Sequence, residues 1–235
     1  MKFVIEKEIF DKLPDLFVGI VVAKGIDNSC VNSQISSLLA ESVASSKHRF
    51  EHVNVKEVDE ILPYREAFRV LGMNPNKFQC SVEAMFTRIA KGKELSNINP
   101  LVDLNNALSI KHVIPMGTHD LGCSSEDIVM RYSMKDDTFL PFESEEEEIV
   151  LPGEVVYAVD NQVRTRRWTW RQSEHGKITS DTSYVFFPID GFIGFNNSKV
   201  EQVICNLSDV LKREFHCQVK TGIVDKHSPE FDLTI

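Results

Sequence analysis

The stretch EVVYAVDNQVRTRRWTW, residues 154–170, consists of two short runs rich in Val, Tyr, Thr and Trp separated by a polar turn. β-Branched and aromatic side chains suit a pleated, half-buried surface, so both runs read as strands. The same texture continues outward, with DIVMRYS at 127–133 and EIVL at 148–151 before it and SYVFFPI at 183–189 after it. From about His112 the chain is therefore sheet-rich. Within that half, ESEEEE at 143–148 carries five glutamates in six residues and reads as a solvated hairpin loop.

Further upstream the apolar spacing becomes helical. Val31, Ile35, Leu38, Leu39 and Val43 follow a helical period, and another helix is expected after Pro63. In SVEAMFTRIAKGK, 81–93, Val82, Met85, Phe86 and Ile89 form one stripe between a capping Ser81 and a terminating Gly92. In NPLVDLNNALS, 99–109, Asn99 is the expected N-cap, and Pro100 takes the first helical position, where a missing N–H costs nothing. Asp103 and Asn106 then emerge on one side of that helix. Phe3 to Glu6 and Leu16 to Ala23 are expected as an opening strand pair. Near the other end Ser198 and Glu201 form a capping box, and Val200, Val203, Ile204, Leu207, Val210, Leu211 and Phe215 trace one helix face. A last strand, QVKTGIV at 218–224, follows. No repeat or linker divides the chain, so residues 1–235 read as one α+β domain.

With 235 residues and 42% apolar content the chain can bury a substantial core. Its longest apolar run, LFVGIVVA at 16–23, falls far short of the roughly 18–20 residues that span a bilayer. Charges in MKFVIEKEIF stand where a secretory signal carries its apolar run, so the expected location is cytoplasmic, with no membrane partner. Five cysteines, at 30, 80, 123, 205 and 217, are scattered and form no CxxC pair. They read as reduced and mostly buried rather than as a disulfide framework or zinc site. The net charge of −9 gives no overall attraction to nucleic acid, so an RNA partner requires a local basic patch.

The segment VRTRRWTWRQSEHGKITSDT, 163–182, holds four arginines, both tryptophans and a Glu-His pair. If 163–171 is a strand, alternation puts Arg164, Arg166, Trp168 and Trp170 on one face, with Arg167 and Arg171 on the other. Guanidinium groups pair with phosphates and indoles stack on unpaired bases, which suits a nucleic acid end. The alternative is that the tryptophans are core or edge residues and the arginines pair with the abundant carboxylates. Glu174 and His175 could move a proton or recognise an amine or hydroxyl, or could be exposed turn residues. HVIPMGTHDLG, 112–122, contains His112, His119 and Asp120 but no compact metal-ligand motif. There is no GxSxG elbow, P-loop or GxGxxG fingerprint.

Taken in order, NPLVDLNNALS, the PMGTHD segment, DIVMRY and SEHGKITSDTSYVFF resemble the successive signatures of the editing, tRNA-binding domain of the phenylalanyl-tRNA synthetase beta subunit. The resemblance is strongest over residues 64–191. Asn99, Val102, Asp103, Asn106, Pro115, Met116, Asp120, Glu174, His175, Asp181 and Thr182 match the family's motifs. The family's histidine after Pro-Met is Gly117 here, and His119, two residues on, is the candidate to replace it.

The resemblance implies a mixed, partly barrel-like β-sheet flanked by helices. It implies hydrolysis of mischarged aminoacyl-tRNA in trans, by a free-standing deacylase that is not a complete tRNA ligase. Glu174 and His119 would be the catalytic residues, and Asn106, Asp103, Gly117 and Thr182 would bind the substrate. Arg164, Arg166, Trp168, Trp170 and Arg171 would receive the charged acceptor end of tRNA. No cofactor, metal or DNA partner is implied. A non-catalytic tRNA or amino-acid-like ligand module, or a protein-interaction module keeping the fold, stays open beside it.

Overall fold

The computed structural model describes residues 1–235. The chain opens with β1 (Lys2–Ile5), α1 (Lys7–Lys12) and β2 (Leu16–Lys24). The helical part follows, comprising α2 (Ser33–Arg49), α3 (Leu62–Val70), α4 (Ser81–Ala90) and α5 (Pro100–His112). The sheet-rich part runs through β3 (His119–Asp120), β4 (Ile128–Tyr132), β5 (Thr138–Phe139), β6 (Glu148–Ile149) and β7 (Val155–Val159). It continues with β8 (Gln162–Arg166), β9 (Arg171–Gln172) and β10 (Tyr184–Phe192). A long helix, α6 (Asn197–Phe215), then precedes β11 (Gln218–Val224) and β12 (Glu230–Asp232).

These strands form two sheets, and neither closes into a barrel. The larger has the order β12-β1-β4-β7-β8-β5-β6, with β9 paired to β8, and mixes parallel and antiparallel pairs. The smaller is β11-β2-β10-β3. The two opening strands are thus not partners: β1 joins the larger sheet and β2 the smaller.

Strand β2 explains the layering. Period-two alternation sends Leu16, Val18, Ile20 and Val22 to one face and Phe17, Val21 and Ala23 to the other, and both sets are buried. The first set joins Phe3 and Ile5 of β1, Met130 of β4, Tyr157 of β7 and Trp168 in a core between the sheets. The second meets Ile35 of α2, Leu101, Leu104 and Leu108 of α5, and Val200, Val203, Leu207 and Leu211 of α6. Two glycines permit that helix to approach. A Cβ on Gly19 would lie 2.7 Å from Val200 Cγ1, and one on Gly191 would lie 2.8 Å from Val200 Cγ2.

Most of the expected boundaries hold. The Asn99 side chain accepts Val102 N–H, Pro100 opens α5, and Gly92, at φ +70°, ends the turn after α4. Two caps differ. Cys80, not Ser81, is the N-cap of α4, which leaves the buried Ser81 hydroxyl unpartnered. Helix α6 begins one residue before Ser198, so no capping box forms; Asn196 Oδ1 instead accepts Phe192 N–H at 2.8 Å. The cysteines are less buried than expected, since Cys30, Cys123 and Cys205 are exposed. None of the helices is long and apolar enough to cross a membrane.

Candidate ligand cavity between the sheets

The strand expected over 163–171 stops at Arg166, and this decides the site. Arg167 and Trp168 take positive φ, +48° and +60°, and turn the chain back so that Arg171 pairs with Arg166 and Gln172 with Thr165. The strained turn is offset by burial of the Trp168 indole, which is fully inaccessible and lies against Tyr64 and Phe68, with ring centroids 6.0 and 5.9 Å away. The alternating cation-and-aromatic face therefore does not exist.

Each arginine of the segment has its own fate. Arg164 is buried, its Nη1 donating to Cys123 Sγ at 3.3 Å beside the backbone of Gly176. Arg166 is held by Glu154 and Glu148, at 2.8 and 2.9 Å. Arg167 pairs with Glu154 and stacks on Phe78, 4.0 Å from the ring centre. Of the five residues expected to receive RNA, Arg164, Arg166 and Trp168 are thus withdrawn, while Trp170 is half-buried and Arg171 is exposed with no ion pair. Carboxylate pairing and core packing proved stronger than strand alternation here.

Behind that hairpin, between the sheets, lies a cavity of about 150 Å³. Helix α5 contributes Asn105 and Asn106, the turn into β3 contributes Met116, Gly117, Thr118 and His119, β7 contributes Tyr157, and β10 contributes Pro188 and Asp190. Thr169, Trp170, Arg171 and Gln172 form the hairpin wall, and Ser81 comes from α4. Four buried polar atoms of this lining have no hydrogen-bond partner: Ser81 Oγ, Asn105 Oδ1, His119 Nδ1 and Thr169 Oγ1. Such atoms are rare in folded proteins because leaving one unpaired costs about 1–3 kcal/mol. Four of the five such atoms in the chain lie around this one cavity.

His119 is buried and stacked on Tyr157 and Phe186, with ring centroids 5.5 and 5.8 Å away. Burial, and then the nearby Arg164 guanidinium, hold its pKa down to about 3, so the ring is neutral. A Cβ on Gly117 would lie 3.9 Å from His119 Nε2, so the His119 ring sits beside the space a side chain at 117 would enter. Asp190 is buried too. Its Oδ1 accepts from Trp168 Nε1 at 2.6 Å and Tyr157 OH at 2.9 Å, and burial pushes its pKa up to about 7 against the lowering effect of those donors.

Among the expected site residues, Asn106, Gly117 and His119 share this cavity with Trp168, Trp170 and Arg171. Besides Arg164 and Arg166, three others do not line it. Asp103 accepts from Ile98 N–H and Asn97 Nδ2, both at 2.8 Å, and so fixes the entry to α5. Thr182 Oγ1 donates to Asp120 Oδ2 at 2.5 Å, tying a turn to β3. Glu174 accepts Glu143 N–H at 2.9 Å and pairs with Lys177, both of which lower its pKa. The acidic loop is anchored on this segment, with Glu147 meeting His175 Nε2 at 2.8 Å. Sequence reasoning missed Ser81, Asn105, Tyr157, Thr169, Gln172 and Asp190. Only Asp190 carried a signal, as a single carboxylate inside the otherwise apolar β10.

The fold is thus a two-sheet α+β domain with a small, partly polar cavity beneath a hairpin. A family model described as the B3/4 domain matches residues 63–216, well over half of the chain. The chain belongs to the B3/4 domain family, and its domain is like that of phenylalanyl-tRNA synthetase beta subunits. Among solved structures, an N-terminal fragment of the phenylalanyl-tRNA synthetase beta subunit from Pyrococcus horikoshii is similar, with a TM-score of 0.48 and 11% identity over 92% of this chain. The match covers 49% of that fragment, so the chain spans about half its length. No curated protein matches the chain.

Proposed function

We propose that the chain binds the charged end of tRNA and hydrolyses mischarged aminoacyl esters in trans, with the aminoacyl group entering the cavity between the sheets. The observation that carries this reading is the set of four unpartnered buried polar atoms around one cavity. A volume of about 150 Å³ is enough for one aromatic-ring-sized group. An aminoacyl ester is already activated, so a positioned water and a stabilised oxyanion suffice, without a dedicated nucleophile. His119, neutral and with Nδ1 unpartnered, serves as a hydrogen-bond acceptor that orients the water. Its low basicity makes it a positioner rather than a strong proton acceptor.

Asn106 and Gly117 contact the substrate, while Asp103 and Thr182 act through the backbone they fix. Glu174 acts through the acidic loop that it holds against the hairpin. Trp170 offers a stacking surface for the terminal base, and Arg171 a cation for its phosphate.

A second reading, binding without hydrolysis, is favoured by the burial of His119 and the engagement of Glu174 with Lys177. Deacylation of a panel of correctly and incorrectly charged tRNAs, beginning with tyrosine on phenylalanine tRNA, separates the two. The hydrolytic reading expects turnover of a mischarged species that drops at least tenfold in His119→Ala and less in Glu174→Ala. Absence of turnover across the panel, with retained binding, leaves the second reading. Because Arg171 is the one unpaired arginine at the rim, binding should weaken only shallowly with salt, losing about one phosphate contact in Arg171→Ala.

A further inference from the structure

Asp190 presents a carboxylate to the cavity with no ion pair. It lies on the face of β10 that looks toward the larger sheet, because alternation places Val185, Phe187 and Ile189 in the helix-side core and Phe186 in the inter-sheet core. Both recorded hydrogen bonds, from Trp168 and Tyr157, fall on Oδ1. The remaining titratable groups packed around it are Tyr64, Cys80, Tyr157 and His119. Burial raises the two tyrosines well above their usual range, pushes the Cys80 thiol up to about 12 and holds His119 down to about 3. All four are uncharged near neutrality, and the only cation of the lining is Arg171, at the exposed rim. Asn105 Oδ1 can only accept, and the hydroxyls of Ser81 and Thr169 can accept as well as donate. The cavity thus holds several groups that can accept and one carboxyl group with no cation beside it. A buried carboxylate is stable when a cation pairs with it, and otherwise takes up a proton.

We infer that the cavity is a primary-ammonium subsite, in which Asp190 pairs with the cation and Asn105 Oδ1 accepts one of its remaining N–H groups. The inference rests on the proposed ligand cavity and specifies what enters it. The ammonium has two sources, the α-amine of an aminoacyl group or an amine on its side chain. Asp190 is a recognition residue in either case.

The test is calorimetric titration of the whole chain at pH 7.5 with small probes. Phenylalanine methyl ester carries the α-amine, Nα-acetyl-lysine methyl ester carries only the side-chain amine, and methyl 3-phenylpropionate carries neither. At least one amine is expected to bind ten or more times tighter than the amine-free ester, and the one that does so identifies the source. In Asp190→Asn, which keeps an acceptor for Trp168 and Tyr157, that preference should collapse. Equal binding of all three esters, binding of none, or an unchanged preference in Asp190→Asn overturns the inference.

Should that variant not fold, the wild-type panel and Asn105→Ala, expected to lose part of the same preference, still decide. Hydrolysis of tRNA charged with phenyllactate as fast as with phenylalanine would exclude the α-amine as the source while leaving the esterase reading intact. Amine binding without any tRNA deacylation would do the reverse.

Discussion

His119 and Asp190 are both buried, burial moves their pKa values in opposite directions, and each ties stability to pH in its own direction. His119 has a folded pKa of about 3 against an ordinary 6.5, so the unfolded chain takes up the proton first. Its contribution is fully present above pH 6.5 and is lost as pH falls toward 3, by on the order of 3–5 kcal/mol. Replacing it with Phe, which can keep the stacking on Tyr157 and Phe186, should move the midpoint of acid unfolding to lower pH. An unchanged acid limb would show that the imidazole is not buried as a neutral group. Asp190 has a folded pKa of about 7 against 3.8, so the folded state holds its proton longer and stability falls as pH rises between those values. Asp190→Asn should therefore gain on the wild type as pH is raised from 4 to 8, measured as the difference in thermal midpoint. Neither behaviour could be read from residue type. A lone histidine in PMGTHD and a lone aspartate in YVFFPIDGF become perturbed only when the second sheet closes over them.

At the scale of elements, the joint between α3 and α4 is made by a buried ion pair. Arg65 Nη1 meets Glu83 Oε1 at 2.5 Å, and further bonds go to the Pro75 carbonyl and Asn76 Oδ1. Burial still raises the Glu83 pKa, because desolvation outweighs the attraction of Arg65. Removing one partner strands the other charge, so Arg65→Ala is expected to cost about 3–5 kcal/mol in urea unfolding. An apolar replacement of both should cost less than that single change, and a double variant less stable than either single one would contradict this account. The existence of α4 was legible in its apolar stripe and Gly92, and that of α3 in Pro63. Their docking was not, because Arg65 and Glu83 are eighteen residues apart in sequence and look like ordinary surface charges. The hairpin over the cavity shows the same limit. Its first strand was legible in Val163 and Thr165, but a single strand running to Arg171 was expected, because the turn at Arg167 and Trp168 depends on an indole pocket built by Tyr64 and Phe68.

For the whole molecule, β2 supplies side chains to both major cores, and its two faces cannot be separated without breaking a strand. The chain is therefore expected to lose secondary structure and tryptophan burial together. Far-ultraviolet circular dichroism and Trp fluorescence should share one thermal midpoint, and Val21→Ala and Val22→Ala should lower it by comparable amounts although they face different cores. Separated midpoints would mean that the helix-side core unfolds by itself.

Local chemistry in the chain was sufficient for the α+β class, for the cap and proline that start α5, for the apolar face of α6 and for the motif order of the B3/4 family. These depend on neighbours within one turn or one pleat. Tertiary structure alone decided that β1 and β2 belong to different sheets, that three of the expected RNA-facing side chains turn inward, and that Ser81, Asn105, Thr169 and Asp190 meet His119 around one cavity. Those outcomes depend on which apolar faces close against each other. That closure determines which polar groups lose water, and so which of them are left to bind something else.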